Sequence, residues 1–150
     1  MPLANPLRIE VTRFQTYQSE IMAVRKTVFI DELGISPDLE WDNRDEQALY
    51  AIAISGNEVI GIGRLQADGQ LGRIAILPDW RRKEVGTRIV QRLIKAAIQS
   101  DQDCIYLSAQ IDALDFYTKL GFSKTGAPFV AAGIDHQGMR LLLPTKLATL

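Results

Sequence analysis

The stretch RIAILPDWRRKEVGTRIV, Arg73 to Val90, runs from an apolar strand through a proline and a cationic turn directly into an amphipathic helix. Pro78 cannot donate to a strand ladder and closes the strand. The first backbone N–H groups of a helix lack intrahelical partners, and the helix dipole adds partial positive charge there. Gly86 lets an anion approach that backbone, and Arg81, Arg82 and Lys83 surround it with mobile cations, as a diphosphate requires. The order strand, turn, helix therefore predicts a polyanion site. The plainer alternative is a solvated basic loop capping a surface helix.

Other anion-binding patterns fit less well. A Walker loop needs a Gly-rich run ending in Lys and Ser or Thr, and a Rossmann turn needs three spaced glycines; the chain has neither. Arg88, Arg92 and Lys95 extend the basic side of the helix, but no aromatic residues interleave with them as in a nucleic-acid surface. The net charge of -1 gives no general attraction to nucleic acid or to an anionic membrane.

Outward from this stretch, 150 residues suffice for one domain, 1–150, with an ordinary core. The beginning, MPLANPLRIE, has no apolar targeting segment, and no run approaches the roughly 18 to 20 apolar residues of a membrane span. A soluble cytoplasmic protein, monomer or homodimer, is expected. The single cysteine, Cys104, is expected to be buried in the apolar run Cys104, Ile105, Tyr106, Leu107.

Leu7 to Thr12 alternate as a half-buried strand. A helix is expected from Gln18 to about Leu33, ended by Gly34, and then a loop from Ser36 to Glu46. Gln47 to Ile54, Glu58 to Leu65 and Leu71 to Leu77 form an antiparallel meander, its turns marked by Ser55, Gly56, Asn57 and by Asp68, Gly69. A helix from Val85 to Gln99 crosses over to a strand Cys104 to Ala109, expected to be central in the sheet. A short helix, Ile111 to Leu120, ends at Gly121, and two further strands reach about Leu143, separated by Gly133 to Gly138. The fold class is α/β of the α+β kind: a mixed, mostly antiparallel central sheet flanked by helices.

Three segments carry a resemblance. Ile74 to Val90 is similar to the acyl-CoA motif of the GNAT superfamily of N-acetyltransferases, an apolar strand followed by (Q/R)xxGx(G/A), with Arg81, Gly86 and Thr87 at matching positions. QIDALDFYTKLGF, Gln110 to Phe122, is similar to the family's second motif, a helix with a Tyr that ends in a Gly and Phe pair. VRKTVFIDELGI, Val24 to Ile35, and GIDHQGM, Gly133 to Met139, resemble a subgroup of small, poorly characterised bacterial members. Glu84 departs from the pattern, standing where the first motif glycine is usual.

The resemblance implies an acyl-CoA N-acyltransferase fold and acetyl transfer from acetyl-CoA to a primary amine of a small-molecule or peptidyl acceptor, with no metal. It places the cofactor against Ile74, Ala75, Ile76, Arg81, Arg82, Lys83, Glu84, Val85, Gly86, Thr87, Gln110, Phe116 and Tyr117. Tyr117 matches the tyrosine that gives a proton to the departing thiolate. The strand glutamate that many members use as base is missing from RIAIL, which leaves His136, Glu32 or Glu40 as candidates. A non-catalytic acyl-CoA-binding or sensor module is the competing reading, and a Cys104–His136 thiol pair a third. The acidic set Asp31, Glu32, Asp38, Glu40, Asp42, Asp45 and Glu46 would draw a cationic amine if it borders the acceptor, or is simply a solvated loop.

Overall fold

The computed structural model describes residues 6–144; residues 1–5, read above for a targeting segment, lie outside the described residues. Strand β1 (Leu7–Arg13) leads into helix α1 (Gln18–Arg25), followed by a single-turn helix α2 (Pro37–Glu40). Strands β2 (Leu49–Ser55), β3 (Glu58–Leu65) and β4 (Leu71–Ile76) form the expected meander, with β1 beside β2 in the order β1-β2-β3-β4. Helix α3 (Val85–Gln99), strand β5 (Cys104–Gln110), helix α4 (Leu114–Lys119) and the hairpin of β6 (Ser123–Ala131) and β7 (Ile134–Leu142) complete the fold.

The meander reads as continuous apolar runs because both its faces are covered. Ala51 and Ala53 of β2 face α3, whose Ile89, Val90 and Leu93 are buried; Tyr50, Ile52 and Ile54 face Ile21, Val24 and Val28 of the first helical segment. Helix α3 seats closely on β3 because Gly61 and Gly63 lack side chains: a Cβ at Gly63 would come within 2.7 Å of Ile89 and 3.1 Å of Leu93. No helix among the described residues is long and apolar enough to cross a membrane.

Four expectations about the elements are corrected. The first helix spans the expected residues, but over Lys26–Glu32 it widens to π-type hydrogen bonding, for which the sequence has no marker. The segment Ser36 to Glu46 contains the turn α2, capped by the Ser36 hydroxyl, which accepts from Asp38 N. The strands divide into two antiparallel sheets, and β5 is an edge of the second, ordered β5-β7-β6, instead of central in one. GIDHQGM is not the separation between the last strands; the turn is at Ala132 and Gly133, and Ile134 to Met139 belong to β7.

The two sheets meet at one parallel bridge, Gln70 with Tyr106, made by Tyr106 N donating to Gly69 O at 3.1 Å. Beyond it β4 and β5 diverge. Burial on β5 alternates accordingly: Ile105, Leu107 and Ala109 point inward, whereas Tyr106 is exposed and donates to Asp68 at 2.7 Å, and Cys104 is only half-buried.

A buried ionic cluster locks the loop after α2 onto the meander. Arg25, wholly buried, donates to the Glu40 carboxylate at 2.7 Å, to Asp45 at 2.6 Å and to the Tyr50 hydroxyl at 3.0 Å. Arg64 donates to Asp42 and Asp45, and Arg73 to the Glu40 carbonyl at 3.1 Å and Asp42 at 3.3 Å. Arg73 has φ +52 inside β4, where the register against β3 is irregular. Glu40, Asp42 and Asp45 are therefore counter-ions to these guanidiniums, and Glu40, expected above as an alternative base, is paired with both Arg25 and Arg73.

Two outcomes are expected. Gly69 has φ +95, and a Cβ there would lie 2.6 Å from the Cys104 carbonyl, so Gly69→Ala should destabilise the fold by about 2–3 kcal/mol in urea unfolding. Burial raises the Asp42 pKa, but hydrogen bonds and charge from Arg64, with Arg73, hold it down at about 2. A depressed carboxyl contributes stability above its unfolded pKa of about 3.9 and loses it as pH falls through the folded value. The melting temperature should thus fall more steeply between about pH 4 and pH 2 in the native chain than in Asp42→Asn, which starts lower at neutral pH.

Candidate functional site

The divergence of β4 and β5 opens a cavity of about 550 Å³. One wall is Ile74, Ala75 and Ile76 of β4; the facing wall is Leu107 to Gln110 of β5. Because β4 pairs with β3 on its other side, the backbone edge facing the gap has no strand partner among the described residues, and at its end Ile76 O accepts from Arg81 Nε. Buried backbone donors and acceptors demand partners, so such an edge suits an extended ligand with amide groups of its own.

At the end of β4 the chain turns through Pro78–Trp80 and enters α3 at Val85. No side chain caps this helix, which leaves the N–H groups of Val85, Gly86 and Thr87 without intrahelical partners. Arg82 and Glu84 both have left-handed backbones, φ 60 and 63, and both side chains are exposed together with Lys83, whose ammonium lies 5.3 Å from the Trp80 ring. A Cβ on Gly86 would touch the Phe116 ring at 3.4 Å, so Gly86 and Phe116 bring the helix start and α4 together.

Arg81 behaves differently from its neighbours in the turn. Its Nε donates to Ile76 O at 2.9 Å, and its two terminal nitrogens grip the Glu32 carboxylate at 2.7 and 2.6 Å. The hydrogen bonds from Arg81 hold the Glu32 carboxyl below the usual carboxylate range. Two residues assigned separately above, one to the diphosphate and one to the acceptor, are thus joined across the cavity, which both line.

Tyr117 is 9 % exposed and lies edge-on to Phe116 and Phe122, at 4.9 and 5.7 Å between ring centres. Burial pushes its phenol above the ordinary value, so it is protonated at neutral pH. His136 pairs with Gln110 in the β5–β7 ladder and stacks on Phe129 at 5.8 Å. Its Nδ1 lies 2.7 Å from Ile134 O. A carbonyl can only accept, so Nδ1 carries the hydrogen and the neutral ring keeps its lone pair on Nε2.

Tyr117, His136, Gln110 and Ile74 to Ile76 line one cavity with Glu32 and Arg81. Gly86 and Phe116 adjoin it, whereas Arg82, Lys83 and Glu84 lie out along the turn. Cys104 pairs with Leu142 at the opposite end of β5 from Gln110 and His136, about 20 Å away at strand spacing, so a Cys104–His136 thiol pair does not exist. The sequence missed the apolar side of the cavity, supplied by Phe29, Leu33, Ile35 and Leu39; the unexpected π-type turn and α2 place these residues there.

Residues 20–143 match the acetyltransferase (GNAT) domain family. Among curated proteins, the chain is 32 % identical to the uncharacterised N-acetyltransferase YjcF of Bacillus subtilis, over 77 % of this chain and 86 % of that one. It is also 32 % identical to the uncharacterised protein YyaT of the same organism, over 78 % and 83 %. Among solved structures, an acyl-CoA N-acyltransferase from Pseudomonas aeruginosa superposes with a TM-score of 0.81 at 23 % identity, covering 90 % of this chain and 99 % of that one. With an antiparallel meander, a diverging fifth strand and an uncapped helix at the turn between them, the chain belongs to the GNAT acetyltransferase family.

Proposed function

We propose that the protein transfers an acetyl group from acetyl-CoA to a primary amine by direct attack. The observation that carries this reading is the placement, around and beside one cavity, of the uncapped start of α3, the edge of β4 away from β3, and Tyr117. Its parts match those of the acyl donor: helix N–H groups for the diphosphate, strand backbone for the amide-bearing arm, and a protonated phenol for the sulfur. Arg82 and Lys83 add positive charge beside the diphosphate.

The amine nitrogen attacks the thioester carbonyl carbon, the carbon–sulfur bond breaks, and the acetyl group leaves on nitrogen. The amine gives up a proton and the thiolate takes one. Backbone N–H groups on the β4 edge stabilise the oxyanion, for which fixed donors are effective. Tyr117 protonates the sulfur. His136 takes the amine proton on Nε2, its Nδ1 lying against Ile134 O, whereas Glu32 is engaged by Arg81 and lowered in basicity.

The pairing of Glu32 with Arg81 also favours a second reading, an acyl-CoA-binding module without amine chemistry. Release of free thiol from acetyl-CoA across a panel of amines separates the two. Amine-dependent release supports the enzyme, and tight CoA binding with no release by any amine supports the module.

Two variants test the parts. Tyr117→Phe should lower kcat by about 10²-fold or more while acetyl-CoA affinity stays within about threefold, since a proton donor acts only in the chemical step. Equal turnover would remove Tyr117 from the mechanism. Glu84→Gly should relieve the left-handed backbone, stabilise the fold by on the order of 1 kcal/mol, and tighten CoA binding measured by calorimetry at low salt. No detectable CoA binding by either form would overturn the reading as a whole.

A further inference from the structure

We propose that the acceptor is a monoamine carried on an apolar body, an arylalkyl or branched alkyl group, and not a polycation such as a polyamine; the proposal rests on the acetyltransferase reading above. Two independent observations point to it, the charge balance around the cavity and the placement of exposed apolar side chains.

The two carboxylates that line the cavity, Glu32 and Glu40, are both already paired with guanidiniums. Three guanidiniums, Arg25, Arg64 and Arg73, face three carboxylates, Glu40, Asp42 and Asp45, in one cluster beside the cavity. Glu32 is held by both terminal nitrogens of Arg81, and Asp31 by Lys26 at 3.0 Å. A second or third ammonium would meet no unpaired carboxylate among the described residues that line the cavity and would lose hydration on entering. A single amine loses its charge before it attacks, so it needs none.

The apolar surface is placed where such a body would lie. Large apolar side chains left in solvent are individually ordinary, but their grouping at one cavity is informative. Leu39 is 57 % exposed, Phe129 41 % and Leu33 38 %, and all three line this cavity together with Phe29 and Ile35. They come from α2, β6 and the end of the π-type turn, so no local packing requirement groups them. Their surface continues into the gap where the thioester would sit, between Ala75 and Tyr117.

Thiol release is measured with 2-phenylethylamine, isopentylamine and spermidine, using the full chain and its Leu39→Ser and Leu39→Met variants. Leu39 is exposed enough that neither substitution threatens folding. The expected result is a kcat/KM for the two apolar amines at least about tenfold above that for spermidine. Leu39→Ser should raise KM for the apolar amines by about fivefold to tenfold and leave spermidine unchanged, and Leu39→Met should restore the native value.

Spermidine equal to or better than the apolar amines, or a Leu39→Ser variant with unchanged KM for them, overturns the inference while leaving acetyl transfer intact. If no amine releases thiol, the test is calorimetric titration of 2-phenylethylamine into CoA-saturated protein. Binding weakened by Leu39→Ser then upholds the apolar site although the catalytic reading has failed. No binding overturns both.

Discussion

The site depends on where the segment leading into β4 pairs with β5 and where that pairing stops. Tyr106 N donates to Gly69 O, and past that point the two strands lie side by side without pairing. Parallel neighbours normally continue their ladder, because buried backbone groups left alone cost on the order of a lost hydrogen bond each. The divergence is sustained at both ends. At the bridge, only a glycine fits against the Cys104 carbonyl with φ +95. Along β4, Arg73 adopts φ +52 and is pinned by Glu40 and Asp42, so its irregular backbone is held by a buried charge cluster that also anchors α2. The acidic loop thus secures the bend in β4 through Glu40 and Asp42.

The parts of the fold legible in the sequence are those with local causes. Helix α3 runs from Val85 to Gln99 as expected, because a proline, a cationic turn and a clean apolar stripe define it without reference to anything distant. Strand β3 is equally local, an apolar run between two turn signals. What was misread depends on partners far along the chain. Gly138 resembles a turn residue, yet it lies in β7, where a Cβ would stand 2.9 Å from Thr125 Oγ1 and 3.0 Å from its carbonyl. The glycine answers a close crossing from β6, information that Gly133 to Met139 does not contain. Likewise Cys104 to Leu107 looks apolar on both faces, but Tyr106 is turned outward by Asp68, 38 positions away.

The candidate site divides in the same way. The strand, the turn and Tyr117 could be read from two short motifs, since each motif is one continuous element. The roles of the charged residues could not, because charge alone does not name its partner. Glu32 and Arg81 are 49 positions apart, and Glu32 meets Arg81 from the end of the π-type segment. Phe29, from the same segment, and Leu33, which follows it, line the cavity beside Glu32, so an irregularity with no marker in the sequence contributes both a charged and an apolar part of one wall.

The turn before α3 holds two non-glycine residues, Arg82 and Glu84, in left-handed conformations within three positions. Each costs about 1–2 kcal/mol relative to a right-handed backbone, and neither side chain repays this by packing, since both are exposed. Strain of this kind persists where the surrounding structure over-determines it, and here Pro78–Trp80 on one side and the packed start of α3 on the other fix both ends of the turn. The geometry leaves successive backbone N–H groups open to an anion, and the sequence supplies Arg82 and Lys83 around them. Glycine at position 84 would reach the same backbone at lower cost, so the carboxylate of Glu84 is no requirement of the turn. It must be judged by whether an anion at the helix start tolerates it, and its exposure lets it turn to solvent while the backbone remains available.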